Sequence, residues 1–201
     1  MTTYHHNSRP GIRLALALLA IAAIIVADQY TKWFVMENML RAPGTVPDFG
    51  AWFFTQKKIS PFLLTRETFQ TVVLAPWLNF IMVWNQGVSF GLFDTSSPVM
   101  PLVFMGISVL VSLLLLIWLA VSRGRIVSVA LPLIIGGALG NVLDRIRFAA
   151  VVDFIDAHWG DKHWPAFNLA DSCIVLGAIL LTFARPGGQE ISTEGKHETH
   201  A

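Results

Sequence analysis

The sequence predicts an all-α membrane protein with a small extracytoplasmic β element: four transmembrane helices with both termini on the cytoplasmic side. Three observations predict it. Of 201 residues, 54% are hydrophobic and 13% charged, where ordinary soluble domains carry about 25% charge. Four stretches are apolar enough to cross a bilayer, a task that takes roughly 17–25 residues. Between the first two, Leu78, Phe80, Met82 and Trp84 alternate with other residues, the period of a half-buried strand.

The predicted spans cover about 12–36, 98–121, 126–145 and 166–184. The first is uncharged from Leu14 to Ala27 and then carries Asp28 and Lys32; the second has no charge. A cleaved signal peptide is the competing reading of the first, since Arg9 and Arg13 precede it and Ala20-Ile21-Ala22 resembles a cleavage site. That site falls inside the apolar run, which continues past signal-peptide length, so a retained anchor is favoured. Arg123 and Arg125 fill the short link between the second and third spans, and Arg9, Arg13 and Arg185 flank the first and last. The positive-inside rule makes these segments cytoplasmic. A raw count of basic residues is less decisive, because the outer loop of about 37–97 holds Arg41, Lys57, Lys58 and Arg66. Residues 1–185 read as one membrane domain, and the polar tail 186–201 as a disordered cytoplasmic segment. A net charge of +1 argues against a nucleic-acid partner. The single cysteine, Cys173, excludes an internal disulfide and a multi-cysteine metal site.

Ionisable groups beside a bilayer are costly and need a partner or a role. Here they gather at the outer ends of the spans. Asp28 and Lys32 stand four apart on one helix face, which suits an ion pair as well as a site. Asn141, Asp144 and Arg145 close the third span; a polar knot fixing the helix end is the plainer reading, with Asn141 in reach of either neighbour. Gly136 and Gly140 form a small-xxx-small pair for close helix packing. Asp153 sits within Val151-Val152-Asp153-Phe154-Ile155, where poor solvation favours the protonated acid. Asp171 follows Asn168 by three residues, the pattern of an N-cap with an acid in the first turn. Two acids in such different settings can share one proton, one activating water while the other polarises a carbonyl. Eighteen residues separate them, and the pattern does not show that they meet. His158 and His163 read as interfacial residues ahead of metal ligands, and a Ser89/Lys32 dyad has no supporting motif.

Five blocks resemble the lipoprotein signal peptidase, or signal peptidase II, family. They are Asp28-Gln29-x-Thr31-Lys32, Asn85-x-Gly87-Val88-Ser89-Phe90, Gly136-Gly137-Ala138-x-Gly140-Asn141-x-x-Asp144-Arg145, Val151-Val152-Asp153-Phe154-Ile155 and Phe167-Asn168-x-Ala170-Asp171. The resemblance implies an aspartic endopeptidase of the bacterial inner membrane, its active site at the outer, periplasmic face. Such an enzyme removes the signal peptide of diacylglyceryl-modified prolipoproteins on the amino side of the lipidated cysteine. It implies Asp153 and Asp171 as the catalytic pair. Asn85, Gly87, Asn141, Arg145 and Asn168 would shape or support the site; Asp28, Lys32 and Asp144 would be structural or substrate-positioning. It implies no metal or organic cofactor, contact with membrane lipids, and a globomycin-type inhibitor in the same cleft. The stretch of about 41–75 is longer than the family pattern. Two other functions compete: a proton- or ion-coupled transporter, which would place polar residues at mid-depth of the spans, and a non-catalytic scaffold presenting the aromatic outer loop.

Overall fold

The computed structural model describes residues 10–41, 44, 46–54, 69–87, 99–122 and 124–184. Arg9, Lys57, Lys58, Arg66, Ser89, Arg123, Arg185 and the tail 186–201 lie outside the described residues, as does much of the 41–75 stretch.

Helix α1 (Pro10–Trp33) runs on into a π-helical turn, Phe34–Leu40, and the short α2 (Phe49–Phe54) follows. Strands β1 (Val72–Ala75) and β2 (Leu78–Asn85) precede α3 (Met100–Val121) and α4 (Arg125–Phe148). Strands β3 (Val151–Trp159) and β4 (Lys162–His163) lead to α5 (Leu169–Thr182). Among the described residues, three helical stretches are long and apolar enough to cross a membrane: Gly11–Leu40, Met100–Val121 and Arg125–Phe148. The predicted fourth, α5, is apolar but has 14 residues, about 21 Å at 1.5 Å per residue. It starts later than the sequence suggests because Asn168 ends an extended segment and caps the helix.

Helix α4 is central, packing against α1, α3 and α5. Its glycines permit that. A Cβ on Gly137 would stand 2.4 Å from the Ala170 carbonyl oxygen, and one on Gly140 would stand 2.7 Å from Asp28 Oδ2. The α5 backbone therefore closes onto α4 at Gly137, while Gly136 and Gly140 make room for the Ile24 and Asp28 side chains of α1, the close packing that the small-xxx-small spacing predicts. Helix α3, by contrast, leaves Leu102, Ile107, Leu110, Leu113, Leu114 and Ile117 exposed. That is the surface of a helix solvated by lipid.

The alternating ribbon is β2, in the interior of an antiparallel sheet of order β1-β2-β3-β4. The pairing of β2 with β3 is a structural finding: between the predicted third and fourth spans lies a nine-residue strand. Their register steps from Phe80↔Ile155 to Val83↔Asp153. This bulge inserts an extra residue in β2 and bends it. Phe80, Met82 and Trp84 pack with Val35, Met36, Leu40, Val152 and Phe154 under the sheet.

Arg147 fastens α2 to this end of the helices. It donates to the Trp52 carbonyl at 2.7 Å and to Gln29 Oε1 at 2.8 Å. Its guanidinium carbon lies 3.9 Å from the Trp52 ring centre, a cation–π contact in a buried setting.

Gly140→Ala is expected to lower the melting temperature in detergent, by a loss on the order of 1–3 kcal/mol, because Asp28 cannot withdraw. Gly106→Ala, whose Cβ meets nothing within 4 Å, is the matched control and should leave it unchanged.

Candidate active site

Two carboxylates far apart in sequence converge on one asparagine. Asn168 donates from Nδ2 to Asp153 Oδ1 at 2.7 Å. Its Oδ1 accepts from the Asp171 amide at 2.9 Å, and its own amide donates to Asp171 Oδ2 at 3.2 Å. The last two bonds form a reciprocal capping box at the start of α5. The capping pattern predicted from sequence is present, and the same two side chains also face Asp153.

Backbone pairing closes the eighteen-residue gap. The Phe154 and Ile155 amides donate to the Phe167 carbonyl, and Phe167 N donates back to Ile155 O at 3.1 Å. This bridge lays the residue before Asn168 alongside β3, so the start of α5 arrives beside Asp153. Strand alternation sends Val152 and Phe154 into the apolar clusters and Asp153 to the opposite face.

The remaining predicted residues surround this pair. Asn85 Nδ2 donates to Asp153 Oδ2 at 2.9 Å, while Asn85 Oδ1 accepts from Gly87 N at 2.8 Å. Gly87 holds φ at +97°, and a Cβ there would meet the Phe104 ring at 2.4 Å. Only glycine allows this turn and this contact together. Asn141 Nδ2 donates to Asp171 Oδ1 at 2.7 Å. Its oxygen accepts from Lys32 and from Asn168, each at 3.2 Å. The predicted Asn141 contact with Asp144 is not made. The side chain turns away along α4 toward α5, and Arg145 reaches only the Asn141 carbonyl, at 3.3 Å. Arg145 interacts electrostatically with both Asp153 and Asp171, lies over Phe104 at 5.8 Å, and leaves a buried Nε without a partner among the described residues.

Asp28, Lys32 and Asp144 form a fully buried layer beneath the pair. Lys32 Nζ lies 2.8 Å from Asp28 Oδ2, 2.7 Å from Asp144 Oδ2 and 3.2 Å from Asn141 Oδ1, three acceptors for three ammonium protons. The ion-pair reading of Asp28 and Lys32 holds, with Asp144 added. The two carboxylates of the layer also reach the backbone. Asp28 Oδ1 accepts from Ala170 N at 3.1 Å and Asp144 Oδ2 from Val152 N at 3.0 Å. Those amides belong to the residues immediately before Asp171 and Asp153.

Burial pushes the Asp153 carboxyl up, and the negative charge of Asp171 adds to it; the Asn85 and Asn168 hydrogen bonds and the Lys32 charge oppose them. The result is a pKa raised to about 7. Further from the pair, His163 Nδ1 on β4 lies 2.7 Å from Asp156 Oδ1 on β3, and its ring stacks on His158 at 4.8 Å.

Sequence reading missed Gln29 and Arg147. Gln29 donates to Asp144 Oδ1 at 2.8 Å and accepts from Arg147, which brings a second cation to the buried layer. The signal for Gln29 was available, as it sits within the Asp28–Lys32 block. Arg147 looked like an ordinary basic residue beyond a span.

Set beside known proteins, this chain shares its fold with two solved structures. A structure described as "Bacterial membrane enzyme structure by the in meso method at 1.9 A resolution" matches with a TM-score of 0.60 at 24% identity, covering 84% of this chain and 91% of that one. A 2.3 Å counterpart matches with a TM-score of 0.58. The family model described as Signal peptidase (SPase) II matches residues 20–185. The lipoprotein signal peptidase of Serratia marcescens is 34% identical over 181 residues, 90% of this chain and 91% of that protein. That of Methylobacterium radiotolerans is 40% identical over 175 residues, 86% of this chain and 88% of that one. The chain belongs to the signal peptidase II family.

Lys32→Met is expected to cost roughly 3–5 kcal/mol, since it leaves Asp28 and Asp144 buried without their cation. The measurement is yield and melting temperature of the membrane-extracted protein. Wild-type stability in this variant would show that the layer is not held by the ammonium.

Proposed function

We propose that this chain is an aspartic endopeptidase that cleaves diacylglyceryl-modified prolipoproteins on the amino side of the lipidated cysteine. Asp153 and Asp171 are its catalytic pair. The observation that carries this reading is the pair of carboxylates joined through Asn168. Family membership supplies the reaction class, and its relatives' names supply the lipoprotein substrate. The transporter reading has no support from either.

Asp153, with its pKa raised to about 7, carries the shared proton near neutral pH. Asp171 accepts a proton from a water as the water oxygen attacks the scissile carbonyl carbon. Asp153 gives its proton to the carbonyl oxygen, yielding a tetrahedral diol without a covalent enzyme intermediate. When the C–N bond breaks, Asp171 returns its proton to the leaving nitrogen and Asp153 recovers one from a hydroxyl of the diol. The products are the signal-peptide carboxylate and the free amine of the lipidated cysteine. Arg145, Asn85 and Gly87 shape the cleft in which the substrate backbone lies, and a globomycin-type inhibitor occupies it.

The site sits at the outer face of the inner membrane, where water reaches the acids while the substrate's acyl chains stay in hydrocarbon. Helix α5 is the fourth crossing, which places both termini in the cytoplasm. Residues 1–185 then form one membrane peptidase domain that needs no metal or organic cofactor. The arginines at the opposite helix ends support this orientation.

Asp153→Asn and Asp171→Asn should each lower turnover of a diacylated prolipoprotein by at least about 10³-fold, with the protein still folded in membranes. In the wild type, activity should fall as pH rises through about 7, where the shared proton leaves and no general acid remains. An in vitro cleavage assay reads both. Turnover retained by either variant would remove the pair from the mechanism.

A further inference from the structure

At the helix ends opposite the carboxylates, α1 and α4 line a half-open cavity. It has a volume of about 320 Å³, and Leu16, Ala20, Ile24, Val129, Pro132 and Leu133 line most of it. Ala17 and Ala20 on α1 are too short to fill the space facing α4. Pro132 on α4 removes a backbone N–H and presents a flat apolar ring. One charged side chain stands at the mouth of this cavity. Arg13 donates from Nη2 to Ser128 Oγ at 2.6 Å and to the Ser122 carbonyl at 3.4 Å, so its guanidinium is fixed between α1 and the link from α3 to α4. Both bonds use the same nitrogen; among the described residues, Nε and Nη1 have no partner.

The electrostatics of this end are one-sided. Among the described residues, Arg13 and Arg125 lie there, and the nearest acid along α1 is Asp28, on α4 Asp144 and on α5 Asp171. From Arg13 to Ile24 the cavity runs about 16 Å along α1, which matches one leaflet of a roughly 30 Å hydrocarbon core. An apolar slot of that length, with a tethered cation at its end and no anion nearby, has the shape and charge of a phospholipid.

We infer that the groove between α1 and α4 is a binding site for an anionic phospholipid, its phosphate on Arg13 and one acyl chain along Ala20, Ile24 and Pro132. Charge complementarity selects the headgroup, since basic pockets between transmembrane helices favour anionic lipids. The site is separate from Asp153 and Asp171, and its occupancy does not depend on the chemistry there.

The test is native mass spectrometry of the delipidated full chain in detergent. It is titrated with phosphatidylglycerol or phosphatidylcholine of identical acyl chains. The wild type should retain phosphatidylglycerol about fivefold more strongly, the effect of one basic side chain on one anionic headgroup. Arg13→Gln should abolish the preference. Ala20→Phe, on an exposed position, should fill the slot and weaken binding of both lipids about fivefold while leaving Arg13 in place. Equal retention of the two lipids by the wild type, or wild-type behaviour in either variant, overturns the proposal.

Discussion

The buried ammonium of Lys32 is the constraint on which the rest of the structure depends. A cation without water must find an acceptor for each proton and compensation for its charge, and Lys32 finds Asp28, Asp144 and Asn141. Those partners make further hydrogen bonds, each to an element that the helices must position. Asp28 takes the Ala170 amide at the start of α5, and Asp144 takes the Val152 amide at the start of β3. Asn141 reaches Asp171 itself. One charge in α1 therefore sets where β3 and α5 enter, each held one residue before its acid. Arg147, through Gln29, brings the second positive charge that the two buried acids require and carries the same layer out to α2.

This arrangement is compatible with Asp171 capping a helix while serving the catalytic role proposed for it. Capping uses Oδ2, and Asn141 holds Oδ1, so the carboxylate is oriented from two sides by groups that are themselves fixed. Asn168 has the larger burden. Its amide nitrogen serves Asp153, Asn141 and the Val152 carbonyl, and its oxygen caps α5. No rotation of this side chain keeps all of these bonds. Rigid support of that kind is what a catalytic constellation needs from its surroundings.

Three of the predicted spans and the local polar patterns were legible in the sequence because they rest on contacts a few residues apart. The Asp28–Lys32 spacing, the Asn168–Asp171 cap, the glycine pair of α4 and the alternation in β2 all belong to this class, and all appear as read. What joins them was not legible. The pairing of β2 with β3 links Trp84 to Val152 and Asn85 to Val151, and an apolar strand after a span looks the same as an apolar loop. The Phe167 bridge depends on backbone groups that carry no sequence signal. The bulge between Phe80 and Val83 has no glycine to announce it. Arg147 stayed hidden because a buried cation and a solvated one have the same letter; only the partners Gln29 and Trp52 tell them apart. The fourth helix was placed too early for a related reason: Ala166 and Phe167 continue the apolar run, but Phe167 is bonded as a strand.

The proposed mechanism turns on a proton that buried Asp153 and half-buried Asp171 share near neutral pH. Infrared titration of the purified protein reads that proton through the carbonyl stretch of a protonated carboxyl. The account predicts a band that bleaches with a midpoint at about pH 7 and is missing from the Asp153→Asn difference spectrum. A band that persists unchanged in that variant, or a midpoint near the ordinary aspartate value of about 4, would contradict it.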